Sequence, residues 1–241
     1  MTATIALEVA GGTDVDLSRH YDAVVVIDVI RAMTTACVLL AQGASELVLA
    51  GSMDELRSKS TAEVLVADLD RETALPVAPG ERQVLPNSPA VLATHAIAGK
   101  RVAMCTQNGT RALLDAPSCD TLLGAATVNL SATVERIRAS GARTVLVIPS
   151  DRDSTEDLTC LRHFAAGLSG RTIEPSLVSS DVRAGAEVHR RTWGHLVTAE
   201  AWRNFEADVS ICSGVDTMPF ALEAVRDSTG QLRLRRGGAL Q

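Results

Sequence analysis

The run Val24-Val25-Val26-Ile27 passes without a polar residue into Asp28-Val29-Ile30-Arg31-Ala32-Met33-Thr34-Thr35. A short β-branched stretch of this kind reads as a strand buried on both faces, the type found in parallel sheets. Asp28 then falls at or near the strand's carboxyl end, where open α/β sheets bind their ligands. Good helix formers from Thr34 to Gln42 follow, and Gly43 is a stop signal. Asp28, Arg31 and the hydroxyls of Thr34 and Thr35 therefore collect at a strand-to-helix junction, where free helix N–H groups suit an anion. A plainer arrangement fits equally well: Asp28 pairs with Arg31 and Thr34 caps a helix. The run by itself does not choose between them.

Strand-like runs recur at 23–28, 46–50, 63–68, 101–106, 121–124, 144–149 and 208–212, mostly separated by helix-like stretches. That alternation predicts an α/β fold, a three-layer α/β/α arrangement on mostly parallel sheets. Strand, polar cluster and helix succeed one another at 24–40, 102–113 and 145–168, which suggests a duplicated α/β unit with halves at 1–125 and 126–241. Helix starts are legible at Ser52-Met53-Asp54-Glu55, at Ser88-Pro89 and at Asn129, and we read these as structural. Residues 70–86 carry Pro76, Pro79, Gly80 and Pro86 with little periodicity, so a long loop is expected there, placed to cover the site.

Composition removes some classes of function. A net charge of −6 and 2% aromatic residues argue against a nucleic-acid partner, which calls for basic surface and stacking rings. No segment has the apolar length needed to span a bilayer, and residues 1–16 lack a signal-peptide pattern, so a cytoplasmic protein without a membrane partner is expected. Cys37, Cys105, Cys119, Cys160 and Cys212 form no C-x-x-C pair and are expected to be free thiols, mostly buried. The acidic balance also constrains a phosphate site, because carboxylates repel phosphate unless a divalent cation lies between them.

Two further clusters end predicted strands. Thr106-Gln107-Asn108-Gly109-Thr110-Arg111 combines hydroxyls, an amide and a glycine at a helix start; it fits a ligand turn or a capped Asn-Gly turn. Ser150-Asp151-Arg152-Asp153-Ser154-Thr155-Glu156-Asp157 brings four carboxylates to one strand end. Ser154 with Asp157 fits a capping box, and the remaining acids fit a magnesium site. His95, His163, His189 and His195 show no metal-ligand or triad spacing and are read as ordinary residues. The segment Asp181 to Trp193, with Arg183, His189, Arg190 and Arg191, reads most simply as a solvated helix face, from which a single arginine could still reach an anionic substrate.

Taken in order, these motifs resemble the 2-phosphosulfolactate phosphatase family, whose archaeal and bacterial members serve coenzyme M biosynthesis. The resemblance covers nearly the whole chain. It rests on Asp28 to Thr35, Asn87-Ser88-Pro89, Thr106 to Leu113, Glu156-Asp157 with Cys160, and Asp208, Cys212 and Asp216. It implies two similar α/β halves, magnesium dependence and hydrolysis of a phosphate monoester on a small acidic molecule.

Carried over, it implies Asp28 as a metal ligand or phosphoryl-accepting nucleophile, and Arg31 as a clamp on phosphate oxygens. Asn108 would join Asp28, Arg31 and Asp157 in catalysis. Thr34, Thr35, Arg71, Asn87, Ser88, Thr106, Gly109 and Thr110 would bind substrate. Asp28, Asp70, Glu156 and Asp157 would hold magnesium. The chain departs from the family where Ala67 to Thr73 replaces a glycine-rich Gly-Gly-Glu-Arg-Gly-Gly run, keeping only Asp70-Arg71. Pro86, Met33 and Pro149-Ser150 are further departures.

The expected activity is a magnesium-dependent phosphatase for 2-phosphosulfolactate or a related phosphorylated small molecule, with an aspartyl-phosphate as one route. A phosphoryl-transferase or lyase in the same pocket, or a non-catalytic phosphate-binding module, remain alternatives. A homodimer is compatible with the sequence, which does not fix the oligomeric state.

Overall fold

The computed structural model describes residues 5–10, 14–69, 82–193 and 198–237. Its centre is a ten-stranded sheet in the order β1-β8-β2-β7-β9-β10-β3-β6-β4-β5. The strands are β1 (Ala6–Val9), β2 (Tyr21–Ile27), β3 (Glu46–Leu49), β4 (Val64–Ala67), β5 (Val84–Pro86), β6 (Arg101–Cys105), β7 (Cys119–Ala125), β8 (Thr144–Pro149), β9 (Leu222–Arg226) and β10 (Leu232–Arg236). Parallel pairing dominates: β1, β8, β2 and β7 form one parallel block, and β3, β6, β4 and β5 form another. The antiparallel hairpin β9–β10 joins the blocks, pairing with β7 on one side and β3 on the other. The blocks therefore run in opposite senses.

The mixed α/β class with a large, mostly parallel sheet is thus as the alternation of patterns requires. β2 and β8 are almost wholly buried, which is why they read as unbroken apolar runs. Helix α1 (Ala32–Ala41) packs on β3, β7 and β10, while α4 (Gly109–Leu114) and α6 (Thr155–Leu168) pack on the strands they follow, consistent with α/β/α layering. The others are α2 (Met53–Ser58), α3 (Pro89–Ala93), α5 (Leu130–Ser140), α7 (Pro175–Trp193) and α8 (Ala199–Cys212). Among the described residues no helix is long and apolar enough to cross a membrane.

Local expectations are corrected at four places. The segment 208–212 is the last turn of α8, not a strand; Ala201, Phe205, Asp208 and Cys212 are buried at helical spacing, and the Thr198 hydroxyl caps the helix by accepting from Ala201 N–H. Helix α1 starts at Ala32, before Thr34, with Arg31 at the N-cap; the Asp28 carboxylate accepts from Ala32 N–H, and the Thr34 hydroxyl donates to the Val29 carbonyl instead of capping. The end of the expected 70–86 loop is strand β5, paired with β4; residues 70–81 lie outside the described residues. β1, β9 and β10 are not legible in the sequence because Glu8, Glu223, Arg233 and Arg235 interrupt their apolar runs. The starts at Ser52, Ser88 and Ser154 are formed by side chains accepting from Glu55, Val91 and Asp157 N–H. The Asn129 side chain instead accepts from Ala126 N–H and donates to the Gly124 carbonyl.

Candidate active site

Strand β2 delivers Asp28 one residue past its end. The Asp28 Oδ1 accepts from Ala32 N–H at 2.8 Å, so the first turn of α1 closes on this carboxylate. Thr34, inside that turn, gives its hydroxyl to the Val29 carbonyl at 2.8 Å. Gly109, opening α4 after β6, packs on the same carboxylate: a Cβ there would lie 2.6 Å from Asp28 Oδ2 and 2.7 Å from Ala32 Cβ. Only glycine permits that approach.

From the neighbouring strand end comes Asp157. Its Oδ1 accepts from Val29 N–H at 2.8 Å, tying the first turn of α6 to the end of β2. The Ser150 hydroxyl oxygen lies 3.0 Å from Asp28 Oδ2 and 3.1 Å from Asp157 Oδ2. A hydroxyl has one proton to donate. It serves one carboxylate at a time, and the second contact needs another proton or a cation. Burial pushes Asp28 up to about 6; the Ala32 N–H and the Ser150 hydroxyl oppose the rise, while the nearby Asp68 and Glu156 charges add to it. Burial, and then repulsion from Asp28, hold Asp157 well above the usual carboxylate range. Burial thus disfavours the ionised form of Asp28, a penalty that a cation bound beside it would offset.

Arg31 does not pair with Asp28. Its Nη1 donates to Asp208 Oδ2 at 2.8 Å, while Asp208 Oδ1 accepts from the Ser88 hydroxyl at 2.7 Å and Ala90 N–H at 2.8 Å. One carboxylate from α8 thus fixes the arginine and the start of α3. Burial still pushes Asp208 above its ordinary value, against the pull of Arg31 and these donors. Glu156 faces α7, where the His189 Nε2 lies 2.8 Å from Glu156 Oε1 and Gly185 leaves room for Oε2. Burial is the largest influence on Glu156 and raises it, but His189 together with hydrogen bonds from its own N–H and Ser154 outweighs it, and the net shift is downward.

A cavity of about 130 Å³ opens over these groups, lined by Ile30, Arg31, Asn108, Ser150, Asp151 and Ser154, with Glu156, Asp157, His189, Trp202 and Phe205 completing the wall. The structure therefore brings together Arg31, Asn108, Glu156 and Asp157, with Asp28 immediately behind Ser150. The other expected contacts lie elsewhere. Thr106 and Thr110 are buried and exchange hydrogen bonds, Thr110 N–H to Thr106 Oγ1 at 2.9 Å and Thr106 N–H to Thr110 Oγ1 at 2.7 Å, so they cap α4. Thr35 is buried in α1, and Ser88 is held by Asp208. Asn87 donates to Asp68 Oδ1 at 2.9 Å, and Gln107 N–H donates to Asp68 Oδ2 at 2.8 Å. Asp70 and Arg71 lie outside the described residues.

Residues that the sequence did not mark are Asp208 as the partner of Arg31, His189 as the partner of Glu156, and the two rings Trp202 and Phe205. Asp208 was flagged only through the family resemblance. The histidine carried no spacing signal, because its partner sits on another helix.

Among the described residues no group of three or more His, Cys, Asp or Glu side chains gathers as a metal site. Two carboxylates do meet, Asp28 and Asp157. Magnesium is commonly held by one or two carboxylates, with waters and substrate phosphate completing its octahedron, so this donor set fits that ion.

Residues 13–225 match the family model described as 2-phosphosulpholactate phosphatase. A Synechocystis sp. protein named "Probable 2-phosphosulfolactate phosphatase" is 29% identical over 187 residues, 70% of this chain and 71% of its own. One of the same name from Synechococcus sp. (strain WH7803) is 29% identical over 229 residues, covering 85% and 91%. Another from Deinococcus radiodurans is 35% identical over 154 residues, covering 63% and 61%. The family match takes in every strand from β2 to β8 together with Asp28, Asp157 and Asp208, and the chain belongs to the 2-phosphosulpholactate phosphatase family.

Proposed function

We propose that this chain is a magnesium-dependent phosphatase that hydrolyses a small phosphate monoester, with the relatives' named substrate, 2-phosphosulfolactate, as the reference compound. The observation that carries the reading is the buried pair Asp28 and Asp157, bridged by one Ser150 hydroxyl at the floor of a cavity that also presents Arg31. Asp28 and Asp157 are the residues that would hold magnesium, which when bound supplies charge neutralisation on the phosphoryl oxygens.

The residues of the chain do the positioning. Arg31, anchored on Asp208, turns a planar fork of donors toward phosphate oxygens. The Asn108 amide and the Ser150 hydroxyl add donors from two other elements. Asp157, the pair member that lines the cavity, orients the attacking water. The bond from phosphorus to the leaving oxygen breaks as the water oxygen bonds to phosphorus; Asp157 takes the water's proton and the leaving oxygen gains one, so inorganic phosphate and an alcohol are released. Water rather than Asp28 is the acceptor in this reading, because Asp28 is assigned to the metal while Oδ1 accepts from Ala32 N–H and Oδ2 from the Ser150 hydroxyl.

The test is phosphate release from a panel of monoesters with magnesium and with excess chelator. Turnover with magnesium and its loss on chelation are expected, with no hydroxylamine-sensitive phosphoenzyme. Transfer of the phosphoryl group to another acceptor would place the chain among the transferases. Ligand binding without turnover would make it a binding module.

A further inference from the structure

Strands β5, β4 and β6 lie side by side and run parallel, so the residues that follow them meet at one edge of the site. Asp68 follows the middle strand, β4. Its Oδ1 accepts from the Asn87 amide, just past β5, at 2.9 Å, and its Oδ2 accepts from Gln107 N–H, two residues past β6, at 2.8 Å. One carboxylate thus joins three strand ends. The Asn87 Oδ1 is buried and has no hydrogen-bond partner among the described residues. Turning that amide over would set its oxygen against the Asp68 carboxylate, so Asp68 dictates its orientation although this leaves a buried carbonyl unpaired.

The turn that Asp68 grips carries Asn108. Asparagine is among the best N-cap residues, and Asn108 occupies the N-cap of α4, yet its side chain makes no capping bond. Thr106 caps instead, its hydroxyl oxygen accepting from Thr110 N–H at 2.9 Å. The Asn108 amide is left to the cavity that it lines. Its neighbours in the turn are all pinned: Thr106 by Thr110, Gln107 by Asp68, and Gly109 by its close fit on Asp28.

Asn87 also leads to Arg31. Ser88, the next residue, donates to Asp208 Oδ1, and Asp208 Oδ2 accepts from Arg31 Nη1. Asn87-Ser88 is therefore held between two carboxylates, Asp68 on the Asn108 side and Asp208 on the Arg31 side. We infer that Asp68 is a positioning residue that fixes the Asn108 amide relative to Arg31, so that both meet the oxygens of one phosphate; this rests on the phosphatase reading above. Asp68 acts through the backbone of the turn and through Asn87. Its charge is also one of the influences that raise Asp28, and an effect carried by that charge would persist when Asn108 is removed.

A double-mutant cycle separates these routes from mere support of the fold. With magnesium present, Asp68→Ala should lower kcat/KM for the fastest ester of the phosphate-release panel by about tenfold, mainly through KM, and Asn108→Ala by about tenfold or more. Adding Asp68→Ala to Asn108→Ala should then change kcat/KM by less than about twofold, because the group that Asp68 positions is already absent. The thermal midpoint should fall equally when Asp68→Ala is added to either background, since the bonds to Asn87 and Gln107 are lost in both. Asp68→Asn, which keeps the shape and one acceptor oxygen, should lose about threefold and guards against a folding defect in the alanine variant.

Calorimetric titration with inorganic phosphate in the presence of magnesium repeats the cycle without turnover. The same non-additivity in Kd supports the assignment even where no ester is hydrolysed, an outcome that would remove only the phosphatase reading. Losses that multiply in either measurement overturn it. So does an Asp68→Ala protein within about twofold of wild type in both, or a wild-type protein that neither hydrolyses an ester nor binds phosphate.

Discussion

Gly109 rests on the Asp28 carboxylate so closely that a single added methyl carbon would stand 2.6 Å from its Oδ2. The two residues follow strands β6 and β2, which belong to opposite-running blocks of the sheet. Their contact is where the blocks meet at the site. Gly109→Ala must displace either the carboxylate or the first turn of α4, at a cost of about 1–3 kcal/mol. A lowered thermal midpoint and a large loss of turnover are expected, read by calorimetry and phosphate release; wild-type activity in this variant would show that Asp28 needs no such close cover.

Asp28→Asn keeps an oxygen that can accept from Ala32 N–H and removes the charge. Turnover should fall by about 10²- to 10³-fold while circular dichroism and the thermal midpoint remain near wild type. Near-full turnover would exclude the role proposed for this carboxylate.

Asp157→Asn has a signature of its own in metal-free protein. The introduced amide can still accept from Val29 N–H and can donate toward Ser150 or Asp28, so repulsion between buried like charges is replaced by a hydrogen bond. The metal-free midpoint should rise by about 2–4 °C for each kcal/mol gained, and the stabilisation of wild type by magnesium should disappear. A falling midpoint would argue that the pair is not strained by its own charge.

The pH dependence follows from the same pair. Asp28 is pushed up to about 6 and Asp157 is also raised, so the folded protein keeps protons that the unfolded chain releases near pH 4. Stability from these groups is present at low pH and is lost as pH rises from about 4 through about 6 and beyond. Wild type measured against Asp157→Asn should lose ground between pH 5 and 7.5 in chelator, and magnesium should abolish that loss. Denaturant melts across pH, with and without the ion, check the slope and its sign.

Asp208→Ala removes the acceptor shared by Arg31, Ser88 and Ala90. Removing this acceptor from three donors at a site where the Arg31 side chain is only 11% exposed should cost about 1–3 kcal/mol. Asp208→Asn, which retains one acceptor oxygen, should cost less and should raise KM more than it lowers kcat. An unchanged KM in the asparagine variant would mean that Asp208 supports α3 alone.

What could be read from the residues were relationships between near neighbours. The apolar run into Asp28 announced a buried strand with a polar end, and Ser52, Ser88 and Ser154 announced helix starts, because in each case the partners lie within one turn. The reading failed where local pattern and tertiary packing disagree. Residues 208–212 have the β-branched look of a strand, yet α8 carries them as a helix whose buried face includes Asp208 and Cys212.

By itself, then, the sequence determined the α/β class, the strand-end position of Asp28 and the grouping of polar residues after β2, β6 and β8, since hydrophobic period and turn chemistry act over a few residues. Only the tertiary structure decided who faces whom. Asp157 reaches Val29 across 128 positions and Arg31 reaches Asp208 across 177, while the hairpin β9–β10 is inserted between two blocks that precede it in the chain. His189 meets Glu156 from another helix, and Trp202 and Phe205 reach the same cavity. Such contacts depend on burial summed over the whole fold, and no spacing along the chain encodes them.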